Sequence, residues 1–407
     1  MLFKDIIGQE QTGNNLAELV QHNRLSHALL FLGKEGSGAL PLALAFAQYI
    51  VCEWKNGKPV SPQSAGLFGA PEPETDDATG TGSSTMLSAC GQCSSCLKAA
   101  QMVHPDIHFS YPVIPRKAGD KPVSTDYITE WREFQKLYPY GNVFDWLQFI
   151  GAENKQGNIT AHECNEIIRK LNLKSFESEY KILVMWMPEY LGNEGNKLLK
   201  LIEEPPPNTL FILVAESEAQ ILQTILSRCQ LVKIPIPEDA QIAAALETKC
   251  GLEPAKARAI AAISEGNYRE ALQQMQHAGD DWMDLLREWL NSILKSGPTA
   301  QVKWIEEMAK QGREKQKQFL KYFCHLLEQS VRAGVLPPDK ISASETELDF
   351  AHRLNKLTNI HQQEAIIREL DQAAYYIERN ANAKMLFHAL TIKLSHIIRN
   401  KSLILMD

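Results

Sequence analysis

Apolar positions along the chain follow two regimes that change at about Pro237. Before it, short uninterrupted apolar runs alternate with segments of helical periodicity; after it, only helical periodicity remains. The runs Ala28 to Leu32, Lys181 to Met187, Leu210 to Ala215 and Leu231 to Ile234 predict strands, that from Lys181 apolar as a strand covered on both faces is. Helical patterns separate them, at Asn14 to His22, from the turn after Leu32 to Cys52, at Ala161 to Asn172, and at Gly195 to Glu204. The last is stopped by Pro205-Pro206-Pro207. Strands alternating with helices predict a parallel α/β sheet.

Residues 238 to 276 hold three short helical patterns broken at Gly251 and Gly266, as a small helical domain would. From Asp281 the helices lengthen, with Leu285, Leu286, Trp289, Leu290 and Ile293 on one stripe. They continue to Ile398, interrupted by a loop from Gly334 to Ser342, and no internal repeat is visible. So long a helical tail is expected to supply a core and is suited to holding an oligomer together. Two stretches lack periodicity. Residues 55 to 88 are rich in Pro, Gly, Ser and Thr and are expected to be a disordered insertion. Residues Pro112 to Asn158 carry Trp131, Phe134, Tyr138, Tyr140, Phe144 and Trp146, enough aromatic surface to fold back on the body.

Composition narrows the class. With 407 residues, two or three domains are expected; 44% hydrophobic and 22% charged residues are ordinary for a globular protein. No apolar run reaches membrane-spanning length, so a cytoplasmic location without membrane contact is expected. The net charge of -7 argues against a bulk electrostatic hold on nucleic acid, so DNA contact would be local. Of eight cysteines, Cys90, Cys93 and Cys96 are bunched and the others scattered, a pattern of reduced thiols and one metal site.

The chemistry centres on Gly33-Lys34-Glu35-Gly36-Ser37-Gly38, between the first strand and the helix that ends near Cys52. Backbone N–H groups at such a turn form a phosphate cradle. Gly33 and Gly38 have phosphate-loop spacing, with Gly36 between them. The next two positions, where a Lys and a hydroxyl would meet phosphate and Mg²⁺, are Ala39 and Leu40. The loop is expected to be vestigial, retaining at most a weak nucleotide on its amides.

These residues, with Asp5-Ile6-Ile7-Gly8-Gln9, Leu198-Leu199-Lys200-Leu201-Ile202-Glu203-Glu204-Pro205-Pro206, Ser227-Arg228-Cys229, and His104-Pro105-Asp106 after the bunched cysteines, make the chain resemble the clamp-loader branch of the AAA+ proteins. Within it the likeness is to the delta-prime family of bacterial DNA polymerase III. The resemblance covers residues 1 to about 275. It implies an AAA+-like α/β domain (1–235) with a zinc module, a helical lid (236–276) and an all-α collar (277–407).

It also implies four cysteine ligands, Cys52, Cys90, Cys93 and Cys96, for a structural zinc, with an iron–sulfur cluster or free thiols as the alternatives. His104 is expected to orient the following turn. Arg228 corresponds to an arginine finger that reaches a neighbouring subunit's ATP. Arg269 corresponds to a lid arginine that contacts ATP in active members; with the cradle emptied, a solvated helix arginine is expected.

Active relatives end the strand corresponding to Lys181 to Met187 with an Asp-Glu pair where Trp186 and Met187 stand here, followed by Pro188 and Glu189, and they carry polar sensors after the strand Leu210 to Ala215 where this chain has Glu216 and Ser217. The implied function is therefore a subunit that does not hydrolyse ATP. It would work with gamma/tau ATPase subunits and the delta subunit to load the sliding clamp on primer-template DNA. An active gamma/tau-type ATPase and an AAA+-derived adaptor outside replication are the alternatives.

Overall fold

The computed structural model describes residues 1–54, 88–117, 119–152, 156–276, 282–335, 345–378 and 381–399. The insertion expected at 55 to 88 lies outside these residues except for its last position, as does most of the loop expected after Gly334. Helix α1 (Glu10–Gln21) precedes strand β1 (Ala28–Gly33) and helix α2 (Ala39–Val51). Then come α3 (Ser94–Ala100), β2 (Ile107–Ser110), α4 (Ile128–Leu137), α5 (Val143–Phe149), α6 (Ala161–Leu171) and β3 (Lys181–Trp186). Helix α7 (Leu199–Glu203), β4 (Thr209–Ala215), α8 (Gln223–Leu226) and β5 (Gln230–Ile234) complete the α/β part.

The five strands form one parallel sheet in the order β2-β3-β4-β1-β5. The apolar runs predicted as strands are strands, and β3 and β4 are buried along their whole length. One strand escaped the pattern. β2 reads Ile-His-Phe-Ser, too short and mixed to show a period, and it forms because β3 offers it a parallel edge. Residues 112 to 158 are not irregular either: Trp131 and Phe134 on α4 and Trp146 on α5 give a buried face. Apolar residues cover both faces of the sheet. One layer includes α2 with Phe31 and Phe46, and the other includes α6 with Phe211 and Leu213. The first helix begins at Glu10, four residues earlier than expected. The helix expected over Gly195 to Glu204 is instead a kinked 3-10 segment (Pro188–Leu198) followed by the short α7. Gly192, at φ 50° and ψ -142°, breaks the ladder there.

Among the described residues, the chain after β5 holds helices and no strand. The three short patterns become α9 (Asp239–Cys250), α10 (Pro254–Ser264) and α11 (Tyr268–Gln276). Six longer elements follow: α12 (Trp282–Asn291), with a π turn over Ser292–Ser296, then α13 (Pro298–Ala309), α14 (Arg313–Val335), α15 (Glu345–Leu357), α16 (Ile360–Glu378) and α17 (Ala383–Arg399). Two compact units result. One comprises Met1–Ala245 with Gly266–Glu270; the other comprises Leu246–Glu265 with the chain from Ala271. The second has its own core, where the Trp289 and Trp304 rings stack at 4.8 Å beside Phe319, Phe323 and Phe387. Among the described residues, no helix is long and apolar enough to cross a membrane.

Candidate functional site: a glycine cradle filled from within

The cradle lies where β1 gives way to α2, at the carboxyl edge of a parallel sheet, where open α/β folds place ligands. A turn closes it, with Ser37 N donating to Lys34 O at 3.1 Å. Gly36 (φ +74°) and Gly38 (φ +86°) take left-handed backbone that a side chain would strain. Gln9, fully buried, donates to Ser37 O at 2.9 Å and Pro235 O at 2.7 Å, pinning the loop between α1 and the end of β5. Gly33, Gly36 and Gly38 are thus brought together as the spacing predicted. Ala39 and Leu40 are buried, so the positions that would need a Lys and a hydroxyl belong to the core.

The cavity above the loop has a volume of about 30 Å³. That is room for about one water, against the ~300 Å³ or more of a small-molecule site. Three parts of the chain fill it. Tyr140 and Asn142 come from the turn before α5, and the Tyr140 hydroxyl accepts a hydrogen bond from Ile7 N at 3.0 Å. Trp186 and Met187 close the end of β3, and Glu216 follows β4.

A fourth intrusion, from the loop itself, is electrostatic. Glu35, between the glycines, receives Asn142 Nδ2 at 3.0 Å, Asn267 Nδ2 at 3.2 Å and Arg269 Nη1 at 3.0 Å. Arg269 also grips both oxygens of Asp145, through Nε at 2.5 Å and Nη2 at 2.6 Å. Its side chain is only 4% exposed, which corrects the expectation of a solvated helix arginine. The guanidinium folds inward because two carboxylates wait there, and a bidentate pair is the strong form of this contact.

Glu216, at the mouth of the cavity, is pushed up to about 8 by burial of its carboxyl, then by Glu35 and Glu189. Part of the residue still meets solvent, which screens the effect. Glu189 lies outside the cavity's lining, and its Oε1 accepts from Glu216 N at 2.7 Å and Ser217 N at 2.9 Å.

Trp186 shows why the end of β3 has no carboxylate. It packs against Trp131 at 5.3 Å and Phe134 at 6.3 Å between ring centres, in a cluster with Tyr111 and Trp146. Residues 112 to 158 therefore serve the site twice, by packing on Trp186 and by delivering Tyr140, Asn142 and Asp145.

The cysteines form a second centre. The Sγ atoms of Cys52, Cys90, Cys93 and Cys96 all lie within 4.8 Å of one another, with Cys90 and Cys96 at 3.8 Å. Backbone N–H groups of Cys90, Cys93 and Cys96 donate to sulfurs of Cys52, Cys90 and Cys93 at 3.3 to 3.4 Å. The contact with Cys52, then burial, pushes the Cys96 thiol up, and burial pushes Cys93 up. Four convergent soft donors fit a tetrahedral zinc, whose ~2.3 Å bonds to sulfur set such spacings. His104 is buried, with Nδ1 accepting from Asp106 N at 3.2 Å. Asp106 in turn accepts from the N–H groups of Phe176, Glu177 and Ser178. That turn lies beside the cysteines, where Lys98 of α3 pairs with Glu177 at 2.6 Å.

Arg228 lies apart from the cradle's lining, between α8 and β5. It is one-third exposed, with Nε donating to Glu203 Oε1 at 2.6 Å and Nη1 to Thr224 O at 2.7 Å.

Sequence reasoning missed Glu35, Tyr140, Asn142 and Asp145. Two signals were available: an acid inside a phosphate loop, and Asn142-x-x-Asp145, a helix-capping pattern that the structure realises in both directions.

A parallel sheet in this order, with a glycine turn after β1 and helices beyond β5, defines a P-loop-type α/β domain. A family model described as DNA polymerase III, delta subunit, matches residues 8–65 and 79–238, more than half of the chain, and the chain belongs to that family. It is 26% identical over 211 residues to DNA polymerase III subunit delta' of Bacillus subtilis, covering 52% of this chain and 43% of that protein. It is 26% identical over 252 residues to subunit delta' of Haemophilus influenzae, covering 61% and 55%. Subunit tau of Bacillus subtilis is 23% identical over 319 residues, covering 77% and 44%. The chain spans about half the length of the curated relatives it matches.

Proposed function

We propose that this chain is a delta-prime-like clamp-loader subunit that neither retains nor hydrolyses ATP and lends Arg228 to the ATP of an adjacent motor subunit. The observation that carries the reading is the 30 Å³ cavity over a glycine loop whose phosphate region faces Glu35 and Glu216. A triphosphate would meet the Glu35 carboxylate and no space. Catalysis of phosphoryl transfer rests on positioning and on charge stabilisation by Lys, Mg²⁺ ligands and sensors. Ala39, Leu40, Trp186 and Met187 supply none of these, which speaks against an active gamma/tau-type ATPase.

Arg228 suits a role in trans because it is one-third exposed, and its guanidinium, held here by Glu203 Oε1 and Thr224 O, would exchange those partners for phosphate oxygens. The partners in this reading are gamma/tau ATPase subunits, the delta subunit and, through the assembly, the sliding clamp and primer-template DNA. The cytoplasm is the corresponding location. Residues 1–235, 236–276 and 277–407 are assigned as nucleotide-type domain, lid and collar, the collar serving assembly. Cys52, Cys90, Cys93 and Cys96 would hold one zinc ion, whose chemistry is to cross-link the end of α2 to α3. The chain's own contribution there is four thiolates and the N–H donors that stabilise them.

The test is reconstitution with gamma/tau and delta subunits. Arg228→Ala should leave assembly intact and lower the complex's ATP hydrolysis by about 10³-fold or more at the adjoining site. An unchanged rate in a fully assembled complex would remove the finger.

A further inference from the structure

A nucleotide site normally closes because an arginine and neutral amides find phosphate oxygens. Here donors of the same kind are taken up by the chain's own acids. Arg269 presents Nε and Nη2 to Asp145 and Nη1 to Glu35. Asn267 and Asn142 present their amides to the two oxygens of Glu35. Glu35 lies in the cradle loop itself, so negative charge arrives from within the protein at the place a phosphate would bring it.

The backbone follows the side chains. Tyr268 N donates to Gly36 O at 3.4 Å, and a Cβ at Gly36 would lie 2.8 Å from Asn267 Cα. Tyr268 also meets Tyr140 edge to face at 4.8 Å. The segment Gly266–Glu270 therefore lies directly on the glycine loop, within the same compact unit.

We propose that Glu35 and Asp145 act as a built-in substitute for nucleotide phosphates, clasping Arg269 and Asn267 so that closure of segment 266–270 over the cradle is independent of nucleotide. The proposal rests on the reading that the cradle takes no ATP. It adds that the two carboxylates do the work that a ligand does elsewhere.

Hydrogen–deuterium exchange of the full chain tests it, read at the amides of residues 266 to 270. In the wild type, exchange should be slow and unchanged by millimolar Mg-ATPγS. In the double variant Glu35→Gln, Asp145→Asn, exchange there should rise by about tenfold or more while β3 and β4 stay protected. If that variant does not fold, Arg269→Lys keeps the charge and removes the fork, and it should accelerate the same amides by a smaller factor. Unchanged exchange in a folded variant would overturn the clasp, as would wild-type amides that tighten on adding nucleotide. Equilibrium dialysis of labelled ATP against the wild type separates the two ideas: saturable binding defeats the nucleotide-free reading, whereas no binding with unchanged exchange in the variant defeats the clasp alone.

Discussion

The glycine cradle and the cysteine cluster are both motifs whose residues converge in space, and they converge to opposite ends. At the cysteines, four donors of one kind face one another within 4.8 Å. At the cradle the backbone turn is kept, but Tyr140, Asn142, Trp186 and Glu35 have moved into the volume it would serve. The contrast teaches that a motif's backbone and its chemistry are separable. Glycines preserve a shape, while side chains from elsewhere in the chain decide whether a ligand can use it.

That contrast breaks first at the cysteines. Cys93→Ser or chelation should remove one equivalent of zinc, read by atomic emission, and unfold the stretch from Cys90 to Ala100. A structural zinc contributes of the order of 10 kcal/mol of apparent binding energy. Purified protein without metal that keeps the same melting temperature would mean free thiols, and visible absorbance would mean an iron–sulfur cluster.

Next in size is an attempt to reopen the cradle. Trp186→Asp would place an unpaired carboxylate beside Trp131 and Phe134 and should cost about 4 kcal/mol in urea unfolding, without creating ATP hydrolysis. Arg269→Ala should cost about 3 kcal/mol, because Glu35 and Asp145 would face each other without their guanidinium. A loss below about 0.5 kcal/mol would show that the pair behaves like a surface contact.

The smallest effect is one of pH. Burial, then Glu35 and Glu189, push Glu216 up to about 8 in the folded protein from an ordinary 4.5, so between those values the folded state binds the extra proton. Stability should therefore fall as pH rises from about 4.5 to 8 and level off above, by no more than about 1 kcal/mol given its solvent contact. Glu216→Gln should flatten that slope, followed by thermal melts across the range.

The sequence carried the sheet well because buried parallel strands are unbroken apolar runs: β1, β3 and β4 needed no context. It carried β2 poorly because four mixed residues become a strand only when β3 lies beside them. At the cysteines, the two-residue spacing within 90 to 96 was visible, and Cys52 came from the family likeness. The cradle's departures from the phosphate-loop pattern were visible in Ala39, Leu40, Trp186 and Met187, since missing groups can be read one position at a time. Its filling was not, because Asp145 and Arg269 are 124 positions apart and meet only through the fold. The inward turn of Arg269 was misjudged for that reason: an arginine's exposure depends on which carboxylates reach it, and those lay in a stretch without periodicity.

The most direct test of the central claim is calorimetric titration of the purified chain with Mg-ATP, beside a Gly38→Ala control. The account predicts no saturable heat from either protein at millimolar nucleotide. Saturable binding to the wild type that the Gly38→Ala substitution abolishes, accompanied by release of inorganic phosphate, would contradict it.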